Sequence, residues 1–483
     1  MKFARRLDPG LAKFVSADYV FALLGCAGIG YALAFNWGGR GPRAFQPLVL
    51  AGGLVVWRFF ALARKRASAA LASDVVWLPL IFLLLAMGWA AYEDQTLLNA
   101  SLPWPAGRNG QLVMGALVFS YLPGAVGLRE PGWLGHARFA LLTGLVVFIG
   151  VECIKASPTP RIDVWQLQQK AVDLLRQRRN PYQELTIPDT GWGIPMPFVY
   201  PPTVIYSGFF GKWLLGDIRY SNLAEIAMTG IALRTIARRA PGARRAGDPE
   251  GAASGLPSLG EDAPALIFWL QPKLFLVLEQ AWVDVIQLGF LTAGLAVFLG
   301  RFRLVGVVLM GIALSSKQTM FWFVPLIFLF LNFRPREWIV LFATITLLLL
   351  PFVIWDFSAL RAATLGVHGA IPPRRDALAF MAWYYAKYQT WRSTAFISWT
   401  ASLAVLGVGA WRLRGSLPAF GLAATAIYFL FFFFQKWAFA NYYYFIDGMA
   451  ALAAALALHV PPLVPSLSAA TPAPAEPVSA PVS

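Results

Sequence analysis

The sequence predicts an all-α protein that crosses a membrane many times, and three observations favour this class. Of its 483 residues, 58% are hydrophobic and only 13% are charged, a balance too apolar for ordinary soluble domains. The apolar residues form runs of spanning length, and in lipid the backbone must satisfy its own hydrogen bonds, which favours helices. Basic residues gather at the ends of these runs, as is typical of membrane proteins. This composition disfavours the alternative, a large soluble helical bundle.

The apolar runs follow one another along most of the chain, and each is interpreted as one helix. They centre near residues 17–35, 46–63, 75–92, 111–128, 138–154, 221–237, 264–279, 285–300, 303–316, 319–333, 337–355, 393–411, 416–434 and 439–459. The pattern predicts about fourteen spans.

Basic residues between the runs predict the orientation of the chain. The basic clusters lie on alternate loops, at Arg5 and Arg6, Arg64 to Arg66, Arg129 and Arg138, Arg238 to Arg245, Arg301 and Arg303, Arg334 and Arg336, and Arg412 and Arg414. The positive-inside rule places these loops and both termini in the cytoplasm. The net charge of +16 is thereby explained without a nucleic-acid partner.

Cys26 and Cys153 lie in or at the edge of predicted spans, so they indicate neither a disulfide framework nor a thiolate metal site. The first run lacks a convincing cleavage site and is interpreted as a retained span. Residues 240–262 and 460–483 are rich in small residues and proline, which predicts a disordered cytoplasmic loop and tail.

The segment from Tyr200 to Leu215 is apolar. If this segment crossed the membrane, the basic cluster at Arg238 to Arg245 would lie outside and the basic loops would no longer alternate. We therefore predict an interfacial or re-entrant helix. The Tyr200-Pro201-Pro202 opening suits a chain that bends at the boundary, and Lys212 suits an interface anchor.

Three polar regions share the outer face in this topology: the loop 156–199, the turn from Glu279 to Asp284 and the loop 356–392. Asp163 is the best candidate for chemistry, because it precedes an amphipathic helix at the boundary of water and lipid. Desolvation there would raise the basicity of its carboxylate. The alternative role for Asp163 is a helix N-cap.

Other candidates at this face are acidic or cationic. Glu279 and Asp284 flank a tight turn, where ionisable groups are costly and suggest a role; simple solvated turn residues are the alternative. Lys317 lies between two apolar runs, where a fixed cation suits a phosphate; the alternative is an interface-anchoring lysine.

The loop containing Arg374 and Arg375 runs against the positive-inside rule, because it places two arginines outside. The planar guanidinium suits phosphate oxygens, which favours an anion site. A structural pair between Arg375 and Asp376 is the alternative. His368 is a further candidate for bonding a phosphate or a hydroxyl, although a lone loop histidine is often incidental. Tyrosines and tryptophans nearby fit either interface belts or sugar-stacking platforms.

Several motifs are absent from the sequence: a Walker loop, a Gly-rich dinucleotide fingerprint after a strand, a zinc-binding His/Cys array and a nucleophile elbow. Their absence disfavours a pump driven by nucleotide hydrolysis.

Taken together, these features resemble the GT-C superfamily of integral-membrane glycosyltransferases, especially bacterial mannosyltransferase-like members that use polyprenyl-phosphate sugars. The resemblance covers residues from about 138 to 459. The residues that carry it are Asp163 with the following helix, Asn180-Pro181-Tyr182, Tyr200-Pro201-Pro202, Glu279-Gln280 to Asp284, Ser316-Lys317-Gln318 and Asn441-Tyr442-Tyr443.

The resemblance implies that a hexose or pentose moves from the polyprenyl-phosphate donor to a hydroxyl of a lipid, glycan or protein acceptor, by an inverting single displacement. It implies that Asp163 is the catalytic base and that the second acidic position falls on Glu279 or Asp284. Donor-phosphate binding is then expected at Lys317, Arg374, Arg375 and Lys436. Further substrate-binding residues are expected at Glu279, Gln280, Asp284, His368, Tyr182, Tyr200 and Tyr443.

The resemblance also implies interfacial helices in the first large external loop and a location in the bacterial inner membrane, with the site on the periplasmic side. Residues 138–459 would form the catalytic region, and the four spans within residues 1–137 depart from the family pattern and have no assigned role. No cofactor is firmly expected, although some relatives place a divalent metal between the two acidic positions. Membrane lipids are expected partners.

Two alternatives come from other classes. A transporter or flippase of a lipid-linked sugar should show paired repeats, broken helices and ionisable residues at mid-membrane depth. The sequence shows no clear repeat, and its polar residues concentrate at one face. A purely structural membrane protein would not need this one-sided gathering of acids and cations.

Overall fold

The described part of the chain is almost entirely helical, which confirms the all-α prediction. The computed structural model describes residues 14–34, 42–65, 70–93, 106–126, 130–188, 194–240 and 258–459. The described strands form two short antiparallel pairs, β1 (Phe14–Ser16) with β2 (Ala70–Ala72) and β3 (Thr186–Ile187) with β4 (Met196–Pro197). The predicted tail 460–483 lies outside the described residues.

The helices follow the predicted apolar runs closely. The first ten are α1 (Ala17–Ala34), α2 (Pro42–Lys65), α3 (Ser73–Glu93), α4 (Ala106–Phe119), α5 (Leu122–Ala125), α6 (Gly132–Ala156), α7 (Asp163–Arg176), α8 (Pro181–Glu184), α9 (Pro202–Leu215) and α10 (Arg219–Arg238). The next five are α11 (Ser258–Trp269), α12 (Leu274–Glu279), α13 (Asp284–Phe298), α14 (Arg303–Leu314) and α15 (Phe323–Phe330), the last preceded by a 3-10 turn at Gln318–Trp322. The remaining six are α16 (Pro335–Arg361), α17 (Val367–Ala370), α18 (Phe380–Tyr388), α19 (Ala395–Arg412), α20 (Leu417–Phe433) and α21 (Ala440–Ala457).

Four described helices are long and apolar enough to cross a membrane. They are Ala17–Ala34, Ala44–Arg64, Trp133–Ala156 and Pro335–Gly369. Shorter apolar helices occupy Val76–Ala90, Asp284–Phe298, Arg303–Leu314, Gln318–Phe330 and Leu417–Phe433. These helices support a membrane protein, and the count of fourteen spans stays a prediction.

Helix α21 lies at the centre of the helix packing. It contacts α1, α10, α11, α12, α13 and α20, and nearly all of its residues are buried. Small residues make this possible: a Cβ on Gly421 would come within 2.4 Å of the Ala453 backbone, so α20 and α21 pack closely. A polar residue on α21 is therefore surrounded by protein rather than by lipid.

One end of the bundle collects arginine–carboxylate pairs, which we call the arginine end. Its pairs are Arg58–Asp18 (2.6 Å), Arg138–Glu130 (2.8 Å), Arg234–Asp262 (2.5 Å), Arg238–Glu261 (3.1 Å) and Arg303–Glu337 (2.8 Å). Helix α13 shows which end this is: its last turn accepts a bond from Arg239 at the Ala296 carbonyl, whereas its first residue, Asp284, lies at the opposite end.

The prediction of a disordered loop over residues 240–262 is wrong for its last five residues. Residues 258–262 begin α11, and Glu261 and Asp262 bind Arg238 and Arg234. Glu261 and Asp262 are buried against α10, and the ion pairs stabilise the start of the helix. The loop composition, which predicted disorder, gave no sign of this helix start. Residues 241–257 lie outside the described part of the chain.

The segment predicted to be interfacial or re-entrant forms α9, which packs against α7 and α10. At 14 residues, α9 is about 21 Å long, shorter than the roughly 30 Å hydrocarbon core of a bilayer. Helix α7 is amphipathic and turns Leu167, Ala171 and Val172 inward, in contact with α9. The two helices fit the predicted interfacial elements in length and pattern, while their depth in a membrane stays a prediction.

Candidate functional site

A buried ion pair between Asp284 and Lys317 is the centre of the candidate site. Asp284 is the first residue of α13, and Lys317 lies in extended backbone after α14. Lys317 Nζ lies 2.8 Å from Asp284 Oδ1, and the Asn441 amide donates to Asp284 Oδ2 at 2.7 Å. The Lys317 and Asp284 side chains are 8% and 1% exposed. Because buried charges persist only when they are paired and hydrogen-bonded, these contacts fix the position of the ammonium group.

Tyr442 completes this group of side chains. Lys317 Nζ lies 4.4 Å from the centroid of the Tyr442 ring, a cation–π distance. Asn441 and Tyr442 are consecutive in the first turn of the central helix α21. We call Asp284, Lys317, Asn441 and Tyr442 the Asp284 cluster; its members come from three distant parts of the chain and lie opposite the arginine end.

Tyr200 connects the Asp284 cluster with Asp163. Burial raises the pKa of the Tyr200 hydroxyl well above its usual range, and the nearby Asp163, Tyr442 and Asp284 raise it further. The hydroxyl therefore stays protonated at neutral pH, within electrostatic reach of both carboxylates. Asp163 and Asp284 are thus both close enough to the Tyr200 hydroxyl to act on it electrostatically.

A second contact ties the helix that carries Asp163 to the turn that carries Asp284. The Gln168 side chain in α7 donates to the Ala281 carbonyl at 2.7 Å. Ala281 has a φ of 54°, a left-handed conformation that a residue with a Cβ rarely adopts. Such conformations persist only where the surrounding structure holds them, so the turn into Asp284 is tightly constrained.

Asp163 is the first residue of α7, and its carboxylate accepts a bond from the Val164 N–H at 2.8 Å. Ile162 occupies the N-cap position, so the alternative role for Asp163 holds only in part: the carboxylate bonds a free backbone N–H, but from inside the helix. Asp163 is 6% exposed. An acceptor could reach it only if the covering side chains moved aside, and the catalytic role of Asp163 stays a prediction.

Glu279 and Asp284, between which the sequence could not choose, have different surroundings. Glu279 ends α12, is fully buried and accepts a bond from Gln280 Nε2 at 2.9 Å. Its carbonyl accepts from Arg219 at 3.5 Å. Asp284 is the acid that contacts Lys317. The geometry therefore favours Asp284 for the second acidic position.

A buried ion pair that sequence reasoning missed packs against the first turn of α7. Arg219, which is fully buried, binds Asp217 at 2.7 Å, and the Trp165 indole donates to the same carboxylate at 3.2 Å. The Arg219 guanidinium also lies 5.7 Å from the Trp165 ring centroid. These contacts hold the first turn of α7, and hence Asp163, against the start of α10. The available signal was an acid two residues before the start of α10, where the Asp217 carboxylate accepts from the free Arg219 N–H at 2.9 Å.

The loop between α16 and α18 lies against the connection between α20 and α21. Lys436 Nζ donates to the His368 and Ile371 carbonyls, each at 2.6 Å, and burial lowers the pKa of Lys436. The Tyr443 hydroxyl donates to the Leu378 carbonyl at 2.6 Å. Lys436 and Tyr443 thus hold the loop in place, a role the sequence did not predict for either. Their predicted substrate roles stay predictions.

Arg374 and Arg375 differ in how their charges are used. Arg374 binds Asp376, with Nε 2.9 Å from Oδ1, and lies 4.9 Å from the centroid of Phe439. The alternative pair between Arg375 and Asp376 is therefore wrong: the carboxylate turns to Arg374, which is anchored on Phe439. Arg375 is exposed and lies 4.6 Å from the Tyr385 ring centroid. Within the described residues Arg375 has no carboxylate partner. Of the two arginines, Arg375 is therefore the one whose charge remains available to bind an anion.

Tyr182 and His368 lie at the margins of the site. The Tyr182 hydroxyl donates to the Tyr200 carbonyl at 2.7 Å, and its ring packs edgewise on Phe198 and Phe352. Tyr182 thereby fixes the backbone that presents Tyr200. The exposed His368 ring lies within electrostatic reach of Lys317 and Lys436.

A divalent metal fits this donor set poorly. Among the described residues, no three or more His, Cys, Asp or Glu side chains come together in a group that could hold a metal ion. Both oxygens of Asp284 are engaged, one by the Lys317 ammonium, which would repel a metal ion. No step in the chemistry proposed below therefore depends on a metal.

The structure also contains buried polar residues outside the Asp284 cluster that sequence reasoning missed. Asp447 in α21, Glu225 in α10 and Gln271 after α11 are at most 5% exposed. Each lies within a predicted apolar run, and the periodicity of that run carries no signal for a buried polar residue. A separate apolar cavity of about 250 Å³ lies between α1 and α3, and none of its lining residues belongs to the Asp284 cluster.

Comparison with protein-family models, with curated proteins and with solved structures finds no match for this chain. The site itself combines two carboxylates within electrostatic reach of Tyr200, a buried ammonium held by one of them, and an exposed guanidinium on the adjoining loop.

Proposed function

We propose that the protein is a GT-C-type glycosyltransferase that moves a sugar from a polyprenyl-phosphate donor to an acceptor hydroxyl at the outer face of a bacterial inner membrane. One observation carries the proposal: Asp163, from the loop after α6, lies within electrostatic reach of Tyr200, and so do Asp284 and Tyr442 of the Asp284 cluster, from much later in the chain. The arginine end lies at the other side of the bundle, as the positive-inside rule requires for an outward-facing site.

The proposed reaction is a single displacement at the anomeric carbon of the donor sugar. The acceptor oxygen forms the new bond to this carbon, the bond from carbon to phosphate oxygen breaks, and polyprenyl phosphate leaves with the electron pair. Asp163 takes the proton of the acceptor hydroxyl. The donor is already a phosphodiester, so charge stabilisation matters more than protonation of the leaving oxygen.

The cations of the site would stabilise the charge that grows on the leaving phosphate. Lys317 is positioned by Asp284 and Tyr442, and one ammonium has three donors, of which Asp284 takes one. Arg375 offers a planar guanidinium on the adjoining loop. The Tyr200 hydroxyl, which stays neutral, would donate to the acceptor or to the sugar.

The function is tested with purified protein in lipid nanodiscs and a radiolabelled polyprenyl-phosphate sugar, with a membrane lipid extract as the source of acceptors. We expect a new labelled glycoconjugate and a matching release of polyprenyl phosphate. Donors carrying several different sugars are used in parallel. An unchanged donor in every reaction, from protein that is folded by size exclusion and thermal unfolding, would contradict the assignment.

Replacing both Arg374 and Arg375 by Gln is expected to raise the KM for the donor about tenfold or more, since a charge-assisted contact to a phosphate, here from Arg375, contributes roughly 1.5–3 kcal/mol. Donor titrations of initial rate measure the effect. The control is the double change of Arg412 and Arg414 to Gln at the arginine end, which should leave the KM unchanged. Equal donor kinetics in both double variants would remove the phosphate role of the loop.

A transporter or flippase of a lipid-linked sugar is the second candidate, and the buried Asp447, Glu225 and Gln271 favour it. The sequence indicated polar residues at one face only, whereas these three are buried within the bundle, and Gln271 lies at a break between α11 and α12. Ionisable residues and broken helices are typical of transporters. Proteoliposomes loaded with fluorescent lipid-linked sugar distinguish the two: a transporter moves the lipid across the bilayer and makes no new glycosidic bond.

A further inference from the structure

A helix break lies in the interior of the bundle, between α11 and α12. Helix α11 ends at Trp269 and α12 begins at Leu274, with Gln271 and Pro272 between them. Pro272 has no N–H, so the regular bonding of the helix cannot continue across it. The carbonyl groups at the end of a helix carry a partial negative charge, which attracts cations. The break therefore presents the negative end of α11 to its surroundings.

Asp447 of the central helix α21 lies at this break. It is fully buried, and the polar neighbours of its carboxyl group are the Cys26 thiol and the Gln271 carboxamide. The Cys26 thiol donates to the Asp447 backbone carbonyl at 3.5 Å, which brings α1 to the same place. Lys273, although close in sequence, is not among the groups that act on this carboxyl.

The polar atoms at this place are poorly satisfied by the protein. Within the described part of the chain, neither oxygen of Asp447 makes a hydrogen bond of normal geometry, and the same is true of both amide atoms of Gln271, which is 1% exposed. One turn before Asp447, the buried Tyr444 hydroxyl also has no hydrogen-bond partner among the described residues, and it interacts electrostatically with Asp447 and with Asp284. Buried polar groups nearly always have partners, so this set indicates a ligand.

We propose that Asp447, Gln271 and the end of α11 form a binding site for one monovalent metal cation of the sodium class. The donors are a carboxylate, a carboxamide oxygen and a tyrosine hydroxyl, all hard oxygen ligands. A single carboxylate balances one positive charge, which favours a monovalent over a divalent ion. An unpaired buried carboxylate is strongly unfavourable, and a bound cation removes that penalty. This inference does not rest on the proposed sugar transfer.

The test is thermal unfolding of the full-length protein in nanodiscs, in NaCl or in choline chloride at equal ionic strength. Since a ligand that binds only the folded state stabilises it, saturating Na⁺ should raise Tm by about 2–4 °C or more over choline. Equilibrium binding of radioactive sodium should saturate at one ion per chain. Series in LiCl and KCl give the selectivity.

Asp447→Asn removes the charge with little change in shape and is expected to abolish both the Tm shift and sodium binding. Gln271→Leu is a second variant, expected to weaken binding at least tenfold. Glu225→Gln is the matched control, because Glu225 is also buried and its Oε2 is also unpartnered, and it should keep the full response. Equal Tm of the unaltered protein in NaCl and choline chloride overturns the proposal, as does a response that depends on pH but not on sodium. A sodium response that persists in Asp447→Asn places the cation elsewhere and overturns it too.

Discussion

Asp163→Asn is expected to abolish sugar transfer while leaving folding and donor binding intact. The amide keeps the shape of the carboxylate but cannot accept the proton of the acceptor hydroxyl, and loss of a general base costs typically 10²–10⁴-fold in rate. The kcat of transfer with labelled donor measures the effect, and donor binding is followed separately by its effect on Tm.

Asp173→Asn is the matched control for this change. Asp173 lies on the same helix, its side chain is 43% exposed, and it faces Lys212 at 3.4 Å. Exposed pairs of this kind contribute little to stability, so this variant should transfer sugar at the normal rate. An Asp163→Asn protein with near-normal kcat would remove the assigned base, whatever the other residues of the site do.

Lys317→Met is expected to damage both stability and transfer. It removes the partner of a buried carboxylate, and leaving Asp284 uncompensated should cost about 3–5 kcal/mol of unfolding free energy. It also removes the ammonium that would stabilise the leaving phosphate, so transfer should fall to background even under conditions in which the variant stays folded. Thermal unfolding and the transfer assay measure the two effects separately.

The double variant Lys317→Met/Asp284→Asn separates structure from chemistry. Neutralising Asp284 should recover most of the lost stability, because no buried charge is then left alone, but it should not recover transfer. Lys155→Met is the surface control: Lys155 pairs with Glu152 in an exposed position and should matter little. Recovery of transfer in the double variant would show that Lys317 acts only by balancing Asp284.

The sequence predicted the helices well because apolar runs are a direct consequence of burial or lipid contact. The run at 17–35 forms α1 at Ala17–Ala34, and the run at 285–300 forms α13 at Asp284–Phe298. The ends follow from local chemistry: α6 stops at Ala156 because Ser157 precedes a proline, which disfavours helical backbone. Some runs are divided in the structure: Pro272 separates α11 from α12 within the run at 264–279, and the run at 111–128 forms α4 and α5.

The alternation of basic loops predicted that polar side chains would gather at the end opposite the basic loops. It did not predict which of these side chains contact one another. Nothing in the sequence says that Asp284 rather than Glu279 contacts Lys317, since both flank the same turn and only the direction of the backbone at Ala281 separates them. Likewise, the choice of Arg374 over Arg375 as partner of Asp376 depends on Phe439, which comes from a distant part of the chain.

The polar residues within the bundle could not be predicted for a related reason. Asp447 lies in the run Ile446-Asp447-Gly448-Met449, and a single acid in an apolar helix looks the same whether it faces lipid, a neighbouring helix or a ligand. What surrounds Asp447 depends on how α1 and α11 pack around α21, which is a tertiary property that the local sequence does not reveal.

An experimental structure of the protein in nanodiscs, with an intact or unreactive polyprenyl-phosphate sugar bound, tests the central claim most directly. We predict phosphate oxygens within about 3 Å of Lys317 Nζ or the Arg375 guanidinium, and the anomeric carbon facing Asp163. Donor bound instead at the arginine end, or with its sugar on the far side of α16 from Asp163, would contradict the proposed site.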